Sequence, residues 1–336
     1  MSNVNTLDGI IELGYAFRSA KALMSAVELG VFTALAQGPL DGSALRQRLG
    51  LAERGAADFF DALVALGLLQ RDWSGRYSNA RGADRYLAAG KPTYIGGLVE
   101  NLNAREYAMW ETLTDALRTG KPQTGFEASR HFGQLYSDRE RLRYFARGMT
   151  GASRAVAKAL ATKFPWEQYN TFVDIGTAQG CVPVQIAQAH SHLQGGGFDL
   201  PILTAIFTEF VDCYGLSDRL RFIPGDFFAD PLPPCDVLIM GRVLHNWDLP
   251  TKQMLLRKAY DALQKGGALI VYERMIDEER RSSRAGMLSS LNMLIMTVGG
   301  FDFTAAACFD WMHAAGFREM RTEPLADAHV MAVAIK

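Results

Sequence analysis

Two hydrophobic patterns divide the chain. Between residues 6 and 37, apolar residues such as Leu23, Val27 and Val31 recur at helical spacing, and the pattern stays largely helical as far as Trp166. After Thr171, short apolar runs alternate with helical stretches. Because that alternation is typical of a parallel sheet wound with helices, the sequence predicts a helical N-terminal part and an α/β C-terminal part with a doubly wound, Rossmann-like sheet.

The C-terminal pattern predicts individual elements. The expected strands are Phe172–Ile175, Gly197–Leu200, Leu220–Pro224, Asp236–Met240, Ala268–Glu273, Phe317–Glu323 and Val330–Ile335. The expected helices are Pro183–Ala189, Leu203–Tyr214, Thr251–Leu263, Met287–Met296 and Thr304–Ala315. Since the last two strands would pair as a hairpin, we expect an antiparallel strand at one edge of the sheet.

The N-terminal part resembles a winged helix in its order of elements. Two helical runs, GSALRQRLGL and ERGAADFFDALVALGLL, precede a hairpin that turns at Ser74 and Gly75. The second run carries Glu53, Asp58 and Asp61 against Arg54 alone, and such a helix is poorly suited to DNA phosphates. We therefore expect a scaffold or dimerisation domain, with apolar residues such as Leu13 and Phe17 packing against a partner subunit.

Three domains are expected along the chain. Residues 1–92 form the winged-helix dimerisation domain, residues 93–166 a helical connector, and residues 167–336 the Rossmann-like domain. The aromatic residues of the connector, among them Trp110 and Phe132, are expected mostly in the core, with some forming the roof of a pocket.

Composition narrows the function classes. The chain has 336 residues, 49% of them hydrophobic, and a net charge of −1, which gives no basic footprint for nucleic acid. The four cysteines are far apart, so we expect buried thiols, no zinc site and no disulfide framework. Neither a signal peptide nor a membrane-spanning run is expected. These features favour a soluble cytoplasmic protein.

The stretch from Thr171 to Pro201 predicts a nucleoside-binding unit. A short apolar run ends in Asp174 and Ile175, a turn bounded by Gly176 and Gly180 leads into a helix, and the next strand closes on Asp199. Glycines let a ligand approach the backbone, free N–H groups at a helix N-terminus attract a carboxylate or phosphate, and an acid about 20 residues on can hold a ribose diol. The alternative is that these glycines only turn the chain.

The residues missing from this turn identify the ligand class. It lacks the G-x-G-x-x-G of dinucleotide sites and the Gly-Lys-Ser/Thr of a Walker A loop. Asp174 would repel phosphates but suits a cationic amino group. A ligand with an ammonium and a carboxylate at one end and a ribose at the other fits both acids, which predicts S-adenosylmethionine.

Ligands of such sheets lie beyond the carboxyl ends of the strands. In GDFF, Asp226 could accept from the adenine amino group and Phe227 could lie against the ring, although an ordinary turn with a core aromatic is the alternative. In VLIMGRVLHNWDL, His245 follows an apolar strand in a polar and aromatic turn, and histidine suits proton abstraction near neutral pH. A structural histidine remains the alternative there.

Methyl transfer from a sulfonium needs an electron-rich acceptor. Because a phenol with a pKa of about 10 is mostly protonated at neutral pH, a base within hydrogen-bond reach helps, and we expect His245 to take the proton. A carboxylate would orient its ring. The candidates are Asp302 and Asp248, with Glu273 third. No metal is expected.

These residues, in this order, resemble a family of small-molecule O-methyltransferases that includes plant caffeate and flavonoid enzymes, acetylserotonin methyltransferase and bacterial polyketide-tailoring enzymes. The resemblance covers nearly the whole chain, through VDIGTAQG, GFDLP, GDFF, LHNWD, KGGALIVYE and NMLIMT. It implies a class I methyltransferase fold, an aromatic hydroxyl acceptor, and a homodimer whose N-terminal helices intertwine and contribute to the partner's pocket.

The resemblance also implies roles for individual residues, with His245 as the general base. The expected cofactor-binding residues are Asp174, Gly176, Gly180, Asp199, Leu200, Asp226, Phe227, Gly241 and Arg242. The expected acceptor pocket is lined by Asn292, Met293, Met296, Trp247 and Met149.

The chain departs from the family pattern at three places. Thr177-Ala178-Gln179 replaces a glycine-rich turn, and Gly241-Arg242 stands where a lysine is common. The stretch that usually reads Gly-Gly-Arg/Lys-Glu-Arg-Thr reads GGFDFT here, so Asp302 would replace the catalytic Glu.

The sequence also allows other functions. On the same cofactor, the enzyme could methylate carbon or catalyse a non-methylating reaction. From other classes, it could be a winged-helix regulator that senses a nucleoside, or a dehydrogenase, although the glycine spacing disfavours the latter.

Overall fold

The structure is a computed structural model that describes residues 4–91, 93–123 and 139–336; within 139–145 it describes the side chains of Leu142 and Arg143 only. The chain divides into two compact units, residues 1–108 and 109–336. The division into three domains stays a prediction, and Phe132 lies outside the described residues.

The first unit is helical with a small sheet. Its helices are Leu7–Glu28, Val31–Leu35, Gly42–Arg48, Ala56–Ala65, Arg81–Leu87 and Gly96–Asn101, followed by a π-helical turn at Leu102–Glu106. Strands β1 (Leu40–Asp41), β2 (Leu69–Arg71) and β3 (Arg76–Asn79) form an antiparallel sheet in the order β1-β3-β2. Asp61 accepts a hydrogen bond of 2.7 Å from the Tyr77 hydroxyl, which ties the helix Ala56–Ala65 to β3.

The long helix Leu7–Glu28 begins at a capped end and leaves much apolar surface exposed. Thr6 caps it by accepting a 3.1 Å hydrogen bond from the Gly9 N–H. Its C-terminal residues Ala26 and Val27 lie in a core built around Phe32 and Phe60. Six large apolar side chains on its N-terminal part are between 46% and 73% exposed: Leu7, Ile10, Ile11, Leu13, Tyr15 and Phe17. Large apolar side chains exposed in this number on one helix usually mark an interface.

The second unit is the α/β part. Its strands are β4 (Thr171–Ile175), β5 (Gln194–Asp199), β6 (Leu220–Pro224), β7 (Cys235–Gly241), β8 (Leu263–Glu273), β9 (Glu319–Pro324) and β10 (Val330–Ile335). Its helices are Leu113–Thr119, Arg139–Lys163, Cys181–Ala189, Thr204–Asp212, Leu249–Ala262, Arg284–Met296 and Ala305–Ala315. Short 3-10 turns lie at Trp110–Thr112, Trp166–Gln168, Pro201–Leu203 and Leu244–Asn246.

The sheet has seven strands in the order β6-β5-β4-β7-β8-β10-β9. Strands β4 to β8 pair in parallel, and β10 is antiparallel to both β8 and β9. The expected hairpin is present, but its antiparallel strand is not at the edge. After β8 the chain crosses over to β9, which is the edge strand. The hairpin then places β10 between β9 and β8.

Strand β5 starts three residues before its predicted start, at a run of glycines that weakens a strand pattern. Neighbouring groups lie over all three glycines. A Cβ on Gly195 would lie 2.5 Å from the Phe172 ring, one on Gly196 1.9 Å from the Arg221 carbonyl oxygen, and one on Gly197 2.2 Å from Thr177. Close packing across β5 therefore explains a composition that is otherwise unfavourable in a strand.

Side chains alternate between the two faces of the sheet, as the pleat requires. Phe172, Ile239 and Ile270 pack with the helices Arg139–Lys163 and Cys181–Ala189 on one face. Val173 and Leu238 pack with the helices Leu249–Ala262 and Ala305–Ala315 on the other. By this alternation Asp174 belongs to the first face, together with Tyr272, whereas Glu273 belongs to the second.

Among the described residues, no helix combines the length and apolar character needed to span a membrane. All four cysteines are free, and Cys181, Cys235 and Cys308 are buried as expected. Cys213 is exposed, because it follows the last turn of the helix Thr204–Asp212 at the surface.

Candidate active site

The turn between β4 and the helix Cys181–Ala189 has the backbone shape that its glycines allow. Gly176 has φ +74° and Gly180 φ +90°, both in the left-handed region. A Cβ on Gly176 would lie 2.9 Å from Val243, and one on Gly180 2.7 Å from the Phe207 ring. Both glycines are therefore required by conformation and by packing. The free N–H groups at the start of the helix follow Gly180.

Asp199, at the end of β5, is engaged with this turn. Its Oδ2 accepts a 2.9 Å hydrogen bond from the Ala178 N–H, and its Oδ1 accepts one of 2.8 Å from the Leu200 N–H. Burial raises the pKa of Asp199 to about 6, although these two hydrogen bonds favour the ionised form. Asp199, itself held by the Leu200 N–H, thus fixes the Ala178 backbone, where φ is +50°.

Asp174, at the end of β4, is a buried acid with 4% of its surface exposed. Burial raises its pKa to about 8; the neighbouring Thr177 hydroxyl lowers it, and the charge of Asp199 raises it further. The Thr177 Oγ1 is buried, and no described group donates a hydrogen bond to it. A buried acid beside a hydroxyl with unoccupied lone pairs suits a cationic ligand that donates hydrogen bonds, and an ammonium fits this description.

The helix Arg139–Lys163 packs against the same turn. The Thr150 hydroxyl donates a 3.0 Å hydrogen bond to Gln179 Oε1, and the Cys181 thiol lies 3.7 Å from the Thr150 carbonyl oxygen. Met149, expected in the acceptor pocket, directly precedes Thr150 on this helix and is half-buried.

Asp226 and Phe227 follow β6. Asp226 Oδ1 accepts a 2.9 Å hydrogen bond from the Phe228 N–H, so one carboxylate oxygen stabilises its own turn. The ring of Phe227 lies edge-on to Phe228 at 4.7 Å and to Trp247 at 6.0 Å. The structure therefore brings Trp247, expected in the acceptor pocket, to the same aromatic cluster as the expected adenine contact.

Gly241 and Arg242, at the end of β7, are shaped by Tyr272. A Cβ on Gly241 would lie 1.9 Å from the Tyr272 ring, so only glycine fits beneath this buried side chain. Arg242 adopts φ +56°, and its N–H donates a 3.0 Å hydrogen bond to the Tyr272 carbonyl oxygen. Tyr272 thus lies over the position where the related family commonly has a lysine.

His245 lies in the 3-10 turn after β7, with 6% of its surface exposed, between two buried carboxylates. Its Nδ1 is 3.4 Å from Asp302 Oδ1 and 3.7 Å from Glu273 Oε2. Its backbone N–H donates a 3.3 Å hydrogen bond to Glu273 Oε1. Asp302 and Glu273, two of the three candidate carboxylates, therefore face the same imidazole nitrogen.

Charge within this cluster moves the pKa of each member. Burial lowers the pKa of His245, but Glu273 and Asp302 outweigh it and the net shift is upward. Burial raises the pKa of Glu273 to about 7, with His245 acting against that change. The titrations of His245 and Glu273 are thus coupled, because the charge on each changes the pKa of the other. The ligand atoms of the three residues lie within 4.8 Å of one another, a spacing that suits proton transfer or a bound cation.

Asp302 reaches His245 because two glycines precede it. A Cβ on Gly300 would lie 2.6 Å from the His245 carbonyl oxygen, and one on Gly299 2.8 Å from Asp248 Cβ. The glycine pair lets the segment after Thr297 lie directly against the turn after β7. The Asp302 N–H donates a 3.3 Å hydrogen bond to the Ser290 hydroxyl, which anchors the segment to the helix Arg284–Met296.

Asp248, the other candidate carboxylate, has a different position. It is the N-cap of the helix Leu249–Ala262, and its Oδ1 accepts a 3.0 Å hydrogen bond from the Thr251 N–H. Its side chain is exposed, and of the described carboxylates only Glu273 and Asp302 lie within ion-pair distance of His245. The motif LHNWD therefore combines a site histidine with a helix cap.

The expected pocket residues of the helix Arg284–Met296 differ in exposure. Asn292 Oδ1 accepts a 3.0 Å hydrogen bond from the Trp110 indole, and its Nδ2 lies 3.2 Å from Met296 Sδ. Asn292 and Met296 are half-buried, whereas Met293 is 95% buried and faces the core. Helical spacing alone does not separate pocket residues from core residues here.

Sequence reasoning missed three residues of the site. Lys252 is fully buried beside the His245 cluster, although lysine on an amphipathic helix normally indicates a surface position. Tyr272 was concealed within an apolar strand, and Thr150 lies far in sequence from the turn that it contacts. The one available signal was Gly241, since a glycine at a strand end can mark the close approach of another side chain.

Comparison with known proteins identifies the family. Residues 110–318 match the model of the O-methyltransferase domain, and residues 11–89 match that of the O-methyltransferase dimerisation domain. The chain is 41% identical to the tetracenomycin polyketide synthesis 8-O-methyl transferase TcmO of Streptomyces glaucescens, over 97% of this chain and 96% of the relative. It is 40% identical to the N,N-dimethyltransferase OxyT of Streptomyces rimosus, over 80% and 78% of the two chains.

A solved structure agrees with this assignment. Human N-acetylserotonin methyltransferase in complex with S-adenosylmethionine superposes with a TM-score of 0.92 at 26% identity, covering 100% of this chain and 99% of that one. The strand order, the dimerisation domain and the relatives support one conclusion. The chain is a methyltransferase that uses S-adenosylmethionine, and it belongs to the O-methyltransferase family with a class I methyltransferase fold.

Proposed function

We propose that this enzyme transfers a methyl group to a hydroxyl of a small aromatic, polyketide-like acceptor, with His245 as the general base. The observation that carries the proposal is the burial of His245 between Asp302 and Glu273 at the carboxyl end of β7. The printed names of the relatives support the acceptor class, since TcmO is a polyketide O-methyltransferase and a 33% identical relative from Streptomyces sahachiroi methylates 3-hydroxy-5-methyl-1-naphthoate.

The acidic strand ends would hold the methyl donor. Asp174 and the Thr177 hydroxyl suit its ammonium group, and Asp199 keeps lone pairs free for a ribose diol after accepting two backbone hydrogen bonds. Asp226 and Phe227 would contact the adenine. Gly176, Gly180, Leu200, Gly241 and Arg242 would form the surrounding backbone surface. S-adenosylmethionine, when bound, supplies an electrophilic methyl group on a sulfonium whose leaving group is a neutral thioether.

His245 would remove the acceptor proton. Because both carboxylates face Nδ1, they favour the tautomer with its proton on Nδ1, which leaves Nε2 as the basic atom. As the acceptor oxygen forms its bond to the methyl carbon, its proton passes to Nε2. Glu273 and Asp302 then stabilise the imidazolium. Arg242 and Lys252 add positive charge around this cluster, which favours proton transfer over a bound cation as its role.

The acceptor class is tested by product analysis. Purified enzyme with S-adenosylmethionine should methylate polyhydroxylated naphthoates or anthracyclic phenols on oxygen, as determined by mass spectrometry and NMR of the product. The matched control is the same acceptor with its hydroxyls already methylated, which should not react. Exclusive methylation of ring carbon in these compounds would contradict the proposal.

An amine acceptor is the second candidate. It is favoured by the 40% identity to OxyT, which carries the name of an N,N-dimethyltransferase. An aromatic compound with both a hydroxyl and an amino group distinguishes the two candidates directly, because the product shows which atom carries the methyl group. Only N-methyl product would replace the hydroxyl proposal with this one.

We also propose that the enzyme is a homodimer formed through the helix Leu7–Glu28. The support is the match to the dimerisation domain and the exposed apolar side chains on this helix. The double variant Leu13→Glu with Phe17→Glu should halve the mass measured by light scattering, since buried charges disfavour association. Trp73→Glu, which alters a fully exposed aromatic residue on the β2–β3 hairpin, is the matched control and should leave the mass unchanged. A wild-type mass equal to one chain would refute the dimer.

A further inference from the structure

Lys252 is a fully buried cation beside the proposed general base. It lies in the first turn of the helix Leu249–Ala262, and its relative exposure is 0%. Its ammonium donates a hydrogen bond to the Trp247 carbonyl oxygen and lies 3.4 Å from the centroid of the Phe301 ring and 5.6 Å from that of Phe303. Lysine is almost never buried unless its charge is compensated. The two rings and the carbonyl oxygen compensate only part of the charge.

Acidic groups supply the remaining compensation. Glu273, Asp302 and Asp248 each favour the charged form of Lys252, and of these the first two are buried. Burial lowers the pKa of Lys252 to about 8, so the ammonium still carries its charge at pH 7. The described cluster therefore contains two buried carboxylates with Lys252 as a fixed cation and His245 as a titrating one. Arg242 is a further cation that acts on His245 and Glu273.

In GGFDFT, the residues on either side of Asp302 differ from those of the related family pattern. Where that pattern has a basic residue on each side of its acid, this chain has Phe301 and Phe303 on each side of Asp302. The ammonium of Lys252 lies against both of these rings. A positive charge is thus present near the acid, but it comes from Lys252 on the helix Leu249–Ala262 and not from the residues next to Asp302.

We propose that Lys252 is a positioning residue for methyl transfer: its ammonium, held on the Phe301 ring, places a fixed positive charge beside the buried group formed by His245 and the two carboxylates that face it. This inference rests on the proposed role of His245. Without the fixed cation, the coupled pair of Glu273 and His245 would hold a proton up to a higher pH. That proton would either occupy the base or remove a carboxylate that orients it. Lys252 thereby sets the pH above which the base is free.

The test compares the pH dependence of kcat/KM in Lys252→Met with that in wild type. Removing a nearby cation raises the macroscopic pKa of the cluster, so the acidic limb should move to higher pH by about one unit or more, and activity should recover on the alkaline side. Lys252→Arg keeps the charge and should keep the limb near its wild-type position. Arg257→Met removes a cation from the same helix that is 60% exposed, and it should shift nothing.

A purely structural role predicts a different result. If Lys252→Met loses thermal stability but its acidic limb stays where the wild-type limb is, the inference is overturned. Should that variant fail to fold, NMR of lysine-labelled wild-type enzyme decides the matter, with Lys252→Arg assigning the signal. A pKa of Lys252 above 7 supports the inference, and a value below 7 removes the fixed cation and refutes it. Full activity of His245→Gln would instead refute the proposed base, so the two failures are distinguishable.

Discussion

His245→Gln lowers kcat for O-methylation by about 10²–10⁴-fold, the range expected when a general base is removed. Glutamine keeps a polar side chain of similar length but does not accept the proton. Because His245 is buried between Glu273 and Asp302 and lies away from the acids that would hold the donor, the affinity for S-adenosylmethionine should stay within about twofold of wild type. Product formation under saturating substrate and calorimetric titration with the donor measure the two quantities separately.

The wild-type pH profile gives a second measurement on the same residue. The pKa of His245 is raised because Glu273 and Asp302 outweigh the effect of burial, and only the neutral imidazole accepts a proton. The rate should therefore rise with pH along an acidic limb that His245→Gln removes. His313→Gln, which changes an exposed histidine, is the matched control and should keep both the rate and the limb. A His245→Gln enzyme with the wild-type rate would place the base elsewhere or show that none is needed.

Asp174→Asn weakens the binding of S-adenosylmethionine by about 30-fold to several thousand-fold, the range for removing one partner of a buried charge pair. The substitution keeps the shape of the side chain and removes its charge. Since the pKa of Asp174 is about 8 in the free protein, the wild-type affinity should fall about tenfold for each pH unit below that value. The variant should lose this dependence. Calorimetry between pH 6 and pH 8 measures both effects.

Stability separates a binding defect from a folding defect in this variant. The folded-state pKa of Asp174 lies above its ordinary value, so the stability linked to this group is complete at acid pH and is lost as the pH rises toward 8. Asp174→Asn removes that loss, and its melting temperature should equal or exceed the wild-type value at pH 8. Asp218→Asn, which changes an exposed acid, should alter neither binding nor stability. Unchanged affinity in Asp174→Asn would exclude this carboxylate from the donor site.

Local patterns were sufficient to predict much of the fold and part of the site. The acid at the end of β4, the two turn glycines and His245 after an apolar strand are all properties of short segments, and the structure has them at the predicted strand ends. The alternation of strands and helices predicted the sheet for the same reason. The family comparisons confirm the methyltransferase fold and its cofactor.

The features that the sequence does not predict depend on tertiary contacts. Whether Asp302, Asp248 or Glu273 faces His245 is decided by how the Gly299-Gly300 segment packs on the turn after β7, and no spacing along the chain encodes that. The burial of Lys252 follows from Phe301 and Phe303 on a distant segment. The place of β10 inside the sheet depends on a crossover, whereas a hairpin pattern reports only that two strands are paired.

The alternation along the strands assigns Asp174, at the end of β4, and Glu273, at the end of β8, to opposite sides of the sheet. Under the proposed roles, the carboxylate that contacts the donor and the carboxylate that orients the base would belong to separate layers. Substitutions in the acceptor layer could then change an oxygen acceptor to a nitrogen acceptor without altering the donor's ammonium contact. Asn292 and Met296, the half-buried residues expected in the acceptor pocket, are the place to begin directed evolution of new acceptors.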